Sequence, residues 1–433
     1  MAEVLVFAEV RLWGRTVGGV AELDDGRIVF EYDPAFRMSG LELSPVRLPL
    51  ATRGPVRFDE LVRKDGFQGL PGLLADALPD AFGTAVIRAF YTSRGEERKA
   101  FSPVQHLLYV GERAIGALEF RPAEKLPRRA AEAEALEVAE LVADARRIIA
   151  GHADVTIPEI YRIGSSAGGM RPKAVVLHNP ATGEIRSAFA TPQAGDIPCI
   201  LKFDGVGEAT TAGLLGEPQP FNRVEAAYAH MARAAGLDVV DVAMHEGDLG
   251  HAHLLIPRFD FRGGERLHQH TLGGLLHVDY NDPGASSYEE YLRTILRLGM
   301  PPAAVIEGFR RMTFNILAVN QDDHVKNLSF HMDTSGAWSL TPAYDLTFAK
   351  GGGWTMTHQM RVAGKRSGIT RTDLIEVAEM FGLRNPAGII AQVADAVGRW
   401  PECAADQRVP AHTIALVQSE LDARAQELGS RKE

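Results

Sequence analysis

Two short runs in this 433-residue chain have residue types and spacing suited to chemistry: Asn320-Gln321-Asp322-Asp323-His324-Val325-Lys326-Asn327 and Pro342-Ala343-Tyr344-Asp345. Asp322 is a carboxylate able to accept the proton of an attacked hydroxyl. Asn327, five residues on, offers a neutral carbonyl oxygen that suits Mg2+, a hard, oxygen-seeking cation. Asp345 follows Asp322 by 23 residues, beyond a strand-like Leu328–Met332 and a turn at Asp333-Thr334-Ser335-Gly336. That pattern predicts a β-hairpin that returns Asp345 to the side of Asn327, where both can ligate metal bridging nucleotide phosphates. The parts match what phosphoryl transfer requires: a held γ-phosphoryl, metal to neutralise its charge, and an aligned hydroxyl. An acidic, amide-rich loop also reads as a capped turn in solvent, so other features must decide.

Three do. Gly164-Ser165-Ser166-Ala167-Gly168-Gly169, leading into Met170-Arg171-Pro172-Lys173, can curl backbone N–H groups around an anion, with hydroxyls and a lysine as further donors. It is not a Walker loop, because no GK[ST] occurs and a strand follows. Lys202, in Ile200-Leu201-Lys202-Phe203, either sits at a sheet edge and snorkels outward or points into a site to meet an anion. Pro257-Arg258-Phe259 follows an apolar run and can form a hinge for a purine. Proline has no N–H, so the hinge must use the Pro257 carbonyl and the Phe259 N–H. Taken singly, each reads as an ordinary turn, an edge lysine or a strand-ending proline.

The elements that must hold these residues are legible in the periodicity. Residues 3–32 alternate apolar and polar groups around Gly14, Gly18-Gly19 and Asp24-Asp25-Gly26, which predicts short antiparallel strands joined by tight turns. Gly66 to Ala89 reads as a turn and then a helix with a Leu73, Leu74, Ala77 and Leu78 stripe. Residues 122–134, proline-bearing and charged, make the linker. A helix is expected over 135–149, strands at RPKAVVLH, IPCILKF and HLLI, a helix over 221–235, and mostly helix beyond 265. The expectation is an α+β chain: residues 1–121 a small N-terminal subdomain, 135–260 a strand-rich lobe, and 261–433 a helical lobe.

Net charge is −10, which argues against coating nucleic acid by bulk electrostatics, so DNA contact is expected only through a partner. Two cysteines, Cys199 and Cys403, are too few for a disulfide framework or a zinc site. No apolar run approaches the roughly 18 residues of a membrane span, and Glu3 and Glu9 interrupt the N-terminus where an export signal would be apolar. A cytoplasmic protein with no membrane role is expected.

The ordered blocks GSSAGG, RPK, ILKF, PRFD, NQDDHVKN and PAYD resemble those of the HipA family of bacterial serine/threonine kinases, the toxins of HipA–HipB toxin–antitoxin systems. DDGRIVFEYDPAF, LSPVRLPL, LLADALPDAFG and GERAIGALEF are similar to that family's N-terminal region, so the likeness covers nearly the whole chain. The resemblance implies a two-lobed protein-kinase-like fold, with ATP and Mg2+ as cofactors. It implies Asp322 as catalytic base, Asn327 and Asp345 as Mg2+ ligands, Lys202 on the ATP phosphates, and Gly164 to Gly169 as the phosphate loop. It also implies autophosphorylation in that loop at Ser165 or the adjacent Ser166, a translation factor such as an aminoacyl-tRNA synthetase as substrate, and a helix-turn-helix HipB-like antitoxin as partner.

Some residues keep two readings. Lys326 either reaches the transferring phosphate or is a solvated loop lysine. His324 is expected to brace the loop, and Asn222-x-x-Glu225 to cap a helix. Asp323 is expected to be more dispensable than Asp322. A kinase acting on a small metabolite and a catalytically silent co-repressor are the rival functions.

Overall fold

The computed structural model describes residues 3–93, 95, 101–123, 138–149, 151, 172–188, 190–206, 219–247 and 250–429. Two compact units result. One comprises Met1–Gln219, Ala243–His270 and Met332–Gly336, and the other Pro220–Val242, Thr271–His331 and Ala337–Glu433.

In the first unit, β1 (Val4–Leu12), β2 (Arg15–Leu23) and β3 (Ile28–Tyr32) form the expected antiparallel meander, with β4 (Leu118–Arg121) added on the far side of β1. Trp13 and Gly14 both take positive φ, 48° and 75°, as a two-residue hairpin turn of matching twist requires. Ala8, Val10 and Leu12 are buried on one face of β1 while Glu9 and Arg11 alternate with them. The stretch from Gly66 onward is two helices, Gly72–Ala75 and Ala81–Ser93, broken at the Pro79-Asp80 step.

A second antiparallel sheet of the same unit has the order β6 (Ile185–Ser187), β5 (Lys173–His178), β7 (Ile197–Lys202), β9 (Ala252–Pro257), β8 (Ala243–Glu246). The amphipathic helix Val138–Ile149 lays Leu141, Val142, Ala145 and Ile148 into a core with Ala174, Val176, Leu201 and Leu255 of this sheet. Because strand side chains alternate, the inward Ala174 and Leu201 send Lys173 and Lys202 to the opposite face.

The second unit is mainly helical. Tyr228, on the helix Phe221–Ala234, packs edge-on against Phe314 of the helix Pro302–Leu317 and against the fully buried Trp400, with ring centroids 6.2 and 5.4 Å apart. Burying rings of this size contributes about 2–3 kcal/mol each by transfer alone. The expected cap on the helix Phe221–Ala234 is absent: Pro220 occupies the cap position, and Asn222 and Glu225 are buried within the helix. Ser329–Met332 and Trp338–Leu340 form the expected hairpin, closed by Thr341 N–H donating to the Ser329 carbonyl at 3.2 Å. No helix among the described residues is long and apolar enough to cross a membrane.

Candidate functional site

In the second unit, the helix Pro302–Leu317 delivers the chain to the acidic loop. Its end is fixed by the Tyr228 hydroxyl, which donates to the Ala318 carbonyl at 2.7 Å. Val319 then takes a left-handed φ of 53° and turns the chain. Asn320 is tied back to Asn315 twice, backbone to backbone and amide to amide, each at 3.0 Å. Gln321 N–H donates to the Ala349 carbonyl at 2.9 Å, so the loop is stitched to the segment following Asp345.

The two neighbouring aspartates have opposite surroundings. Asp322 is 39% exposed in its side chain. Its Oδ1 accepts the Trp354 indole N–H at 3.1 Å. Partial burial raises its pKa above the ordinary carboxylate value; nearby His324 opposes the rise and the negative charge of Asp345 adds to it. A carboxylate so placed is a better base than a fully solvated one. Asp323 is 2% exposed and accepts three hydrogen bonds, from the Tyr288 hydroxyl at 2.8 Å, His358 Nδ1 at 3.0 Å and the Gln359 N–H at 2.7 Å. Asp323 thus anchors the loop from within.

The expected brace by the His324 ring is not formed, since its buried Nδ1 has no hydrogen-bond partner among the described residues; instead its backbone N–H donates to the Asp322 carbonyl at 2.9 Å and its carbonyl accepts from the Asn327 N–H at 3.0 Å. Burial lowers its pKa and favours the neutral ring. Lys326 lies over the Tyr280 ring, 4.7 Å from its centroid, a cation–π contact that places its charge at the loop rather than free in solvent.

Asn327 donates its amide to the Asp322 carbonyl at 3.1 Å. Only the NH2 can donate to a carbonyl, so the side-chain Oδ1 is turned away from that bond. Asn327 and Asp345 line one cavity, about 10 Å3 in volume, together with Asn320, Asp323 and His324. That is the size of a single water or small ion. Asn320 Oδ1, which is buried, has no hydrogen-bond partner among the described residues. Asp345 holds a left-handed φ of 56°, a conformation that costs about 1–3 kcal/mol and clusters at functional sites. Among the described residues no group of three or more His, Cys, Asp or Glu side chains converges as a metal cage. Two oxygen donors beside a small cavity, which Arg311 also lines, fit the Mg2+ pattern, in which one or two protein oxygens share the ion with phosphates and water.

In the first unit, Lys202 lies on the central strand of its sheet and is 8% exposed, which rules out the edge reading. Directly across from it on β5 is Lys173, 6% exposed, whose Nζ is 3.4 Å from Asp80 Oδ2. Lys173 therefore has a carboxylate counter-ion on that sheet face. Pro257 ends β9 opposite Cys199 and, like Phe259, is partly buried. Gly164, Ser165, Ser166, Ala167, Gly168 and Gly169 lie outside the described residues.

Sequence reasoning missed Trp354, Gln359, Tyr288 and Asn315, which hold the two aspartates. Trp354 was signalled only as an aromatic after Gly351-Gly352-Gly353. Tyr288 and Gln359 sit on unremarkable helix and loop positions about 35 residues from Asp323, and Asn315 lies on the helix that leads into the loop.

The model of the HipA-like C-terminal domain matches residues 165–400, and that of the HipA N-terminal domain matches residues 8–121. The chain belongs to the HipA family. A solved structure of the Shewanella oneidensis MR-1 toxin–antitoxin system, HipA and HipB with operator DNA, contains a chain of similar fold. The TM-score is 0.68 at 19% identity, over 98% of this chain and 97% of that one. No curated protein matches the chain.

Proposed function

We propose that the chain is an ATP- and Mg2+-dependent serine/threonine protein kinase of two-lobed, kinase-like architecture, acting as the toxin of a toxin–antitoxin pair. The observation that carries the proposal is the convergence of Asn327 and Asp345 on one small cavity that Asp323 and His324 also line, next to a half-exposed Asp322. In this reading Asp322 accepts the proton of a protein hydroxyl as it attacks. Asn327 and Asp345 hold Mg2+ through oxygen atoms, and Lys326 assists at the transferring phosphate. Bound Mg2+ supplies neutralisation of charge on the phosphates. Lys202 contacts the phosphates, the Gly164–Gly169 loop cradles them, and Pro257 and Phe259 serve the adenine.

Phosphate on Ser165 or Ser166 would place negative charge where the triphosphate binds, giving self-inactivation by repulsion. The substrate is a cytoplasmic translation factor such as an aminoacyl-tRNA synthetase. The partner is a small HipB-like helix-turn-helix antitoxin, through which any DNA contact runs; the Shewanella HipA crystallised with HipB and operator DNA supports this choice.

Labelled ATP incubated with the chain and a cell lysate tests the proposal. Label on protein serine or threonine supports it, whereas label confined to small molecules favours a metabolite kinase. Growth inhibition that survives Asp322→Ala and Asp345→Ala favours a silent co-repressor. Mass spectrometry that finds no phosphate on Ser165 or Ser166 removes the self-inactivation step.

A further inference from the structure

Trp354 is an awkward residue for a purely structural role. It is 37% exposed and follows three glycines, and large aromatics on exposed glycine-rich turns gain little from packing. Yet both its side chain and its backbone are tied to the acidic loop. Its indole N–H donates to Asp322 Oδ1 at 3.1 Å. Its carbonyl accepts from Gln359 Nε2 at 2.6 Å. The same Nε2 also reaches the carbonyls of Thr357, at 2.9 Å, and of Gln321, at 3.2 Å, while the Gln359 N–H donates to Asp323 Oδ1 at 2.7 Å. Gln359 is 3% exposed, so this hook is shielded from water. Gly353, at φ 68°, gives the reversal that brings the indole back over the loop.

Among the described residues no other side chain donates a hydrogen bond to the Asp322 carboxylate. His324 Nε2 is 4.0 Å from the same Oδ1, beyond hydrogen-bonding range. The indole alone therefore fixes rotation of the carboxylate about its terminal bond. With Oδ1 held, Oδ2 is the oxygen presented to an incoming hydroxyl.

We propose that Trp354 is a positioning residue: its indole N–H clamps Asp322 Oδ1 so that Oδ2 faces the hydroxyl of the substrate. The proposal rests on the kinase reading of Asp322. It makes the Gly351–Met356 segment, which follows Asp345, part of the machinery that sets the base. Order in that segment and orientation of the base then rise and fall together.

Trp354→Phe keeps a ring and deletes the N–H; because the residue is exposed, the fold should survive, and the melting temperature checks that. The expected result is a fall in kcat of about ten- to a hundredfold, the scale of one hydrogen bond to a charged group, with KM for ATP unchanged. A merely structural role would lower the melting temperature or move KM together with kcat. Unaltered kcat overturns the proposal. A second readout does not need activity. The chain has four tryptophans, so the indole N–H resonance lost in Trp354→Phe can be assigned and followed in Asp322→Asn. It should shift; an unmoved resonance also overturns the proposal. If wild type and Asp322→Ala prove equally silent in phosphoryl transfer, the kinase reading fails, and the resonance alone decides whether Trp354 clamps Asp322.

Discussion

The Asp323 carboxylate accepts the Tyr288 hydroxyl at 2.8 Å in the interior of the second unit, and that hydroxyl in turn accepts the Asn315 amide at 2.9 Å. Asp322, one residue earlier, has no such support and faces outward. Adjacent aspartates are thus divided between holding the loop and doing chemistry. Asp323→Ala should cost about 3 kcal/mol or more, because three donors aimed at the carboxylate lose their acceptor. Asp322→Asn should leave stability unchanged or slightly raised while phosphoryl transfer falls by at least about a hundredfold. Chemical denaturation of both variants checks the contrast; equal stability would mean that the buried bonds of Asp323 contribute nothing.

Asn327 and Asp345 make a second pair. Asp345→Asn keeps a residue that tolerates the left-handed φ of 56° and should fold normally. It should nevertheless raise the half-saturating Mg2+ concentration by at least the ~10-fold that loss of even an outer-shell partner costs. Asn327→Ala should act in the same direction. A Mg2+ titration of ATP-dependent activity reads both, and an unchanged midpoint would remove these residues from the metal.

Lys202 faces Lys173 across β7 and β5. Lys202→Met retains a long apolar stem and removes one of two like charges on that sheet face. ATP affinity should weaken about ten- to a hundredfold, the scale of lost charged hydrogen bonds. Calorimetric titration with a non-hydrolysable ATP analogue measures this. Unchanged affinity would leave Lys202 a structural residue.

Much of this was legible in sequence because it is local. The alternation of β1 and β7, the hairpin between Asp322 and Asp345, and the helix Val138–Ile149 all follow from periodicity and turn residues. The central position of Lys202 in its sheet was not legible, because strand order is set by long-range pairing. Nor was the burial of Asp323: Tyr288, His358 and Gln359 lie about 35 residues from it in sequence, and only folding brings them to its carboxylate. Asn222-x-x-Glu225 matched a local capping pattern, yet the helix begins earlier, at Phe221 after Pro220, and carries both residues into its buried interior.

His253 gives the fold a pH dependence. Its Nδ1 accepts the Asp204 N–H at 3.0 Å. Burial, with help from nearby His245 and His251 and against Asp204, pushes its pKa down from 6.5 to about 4. The unfolded chain therefore binds this proton more readily than the folded one. The contribution of His253 is complete above about pH 6.5 and is lost as pH falls toward 4, amounting to about 2 kcal/mol by pH 5. His253→Asn keeps an acceptor and cannot protonate, so it should lose less stability than wild type between pH 7 and 5. His106, also pushed to about 4 by burial, contributes equally to both proteins and cancels in the comparison. Identical pH slopes would contradict this assignment.

The central claim is that Asp322 is the base of a phosphoryl transfer to protein hydroxyls. The most direct measurement is incubation of purified wild type and Asp322→Asn with Mg2+, γ-labelled ATP and a cell lysate, followed by phosphosite mass spectrometry. The account predicts phosphoserine or phosphothreonine on protein with wild type and at most a trace with Asp322→Asn. Equal labelling by the two proteins, or label in small molecules alone, would contradict it.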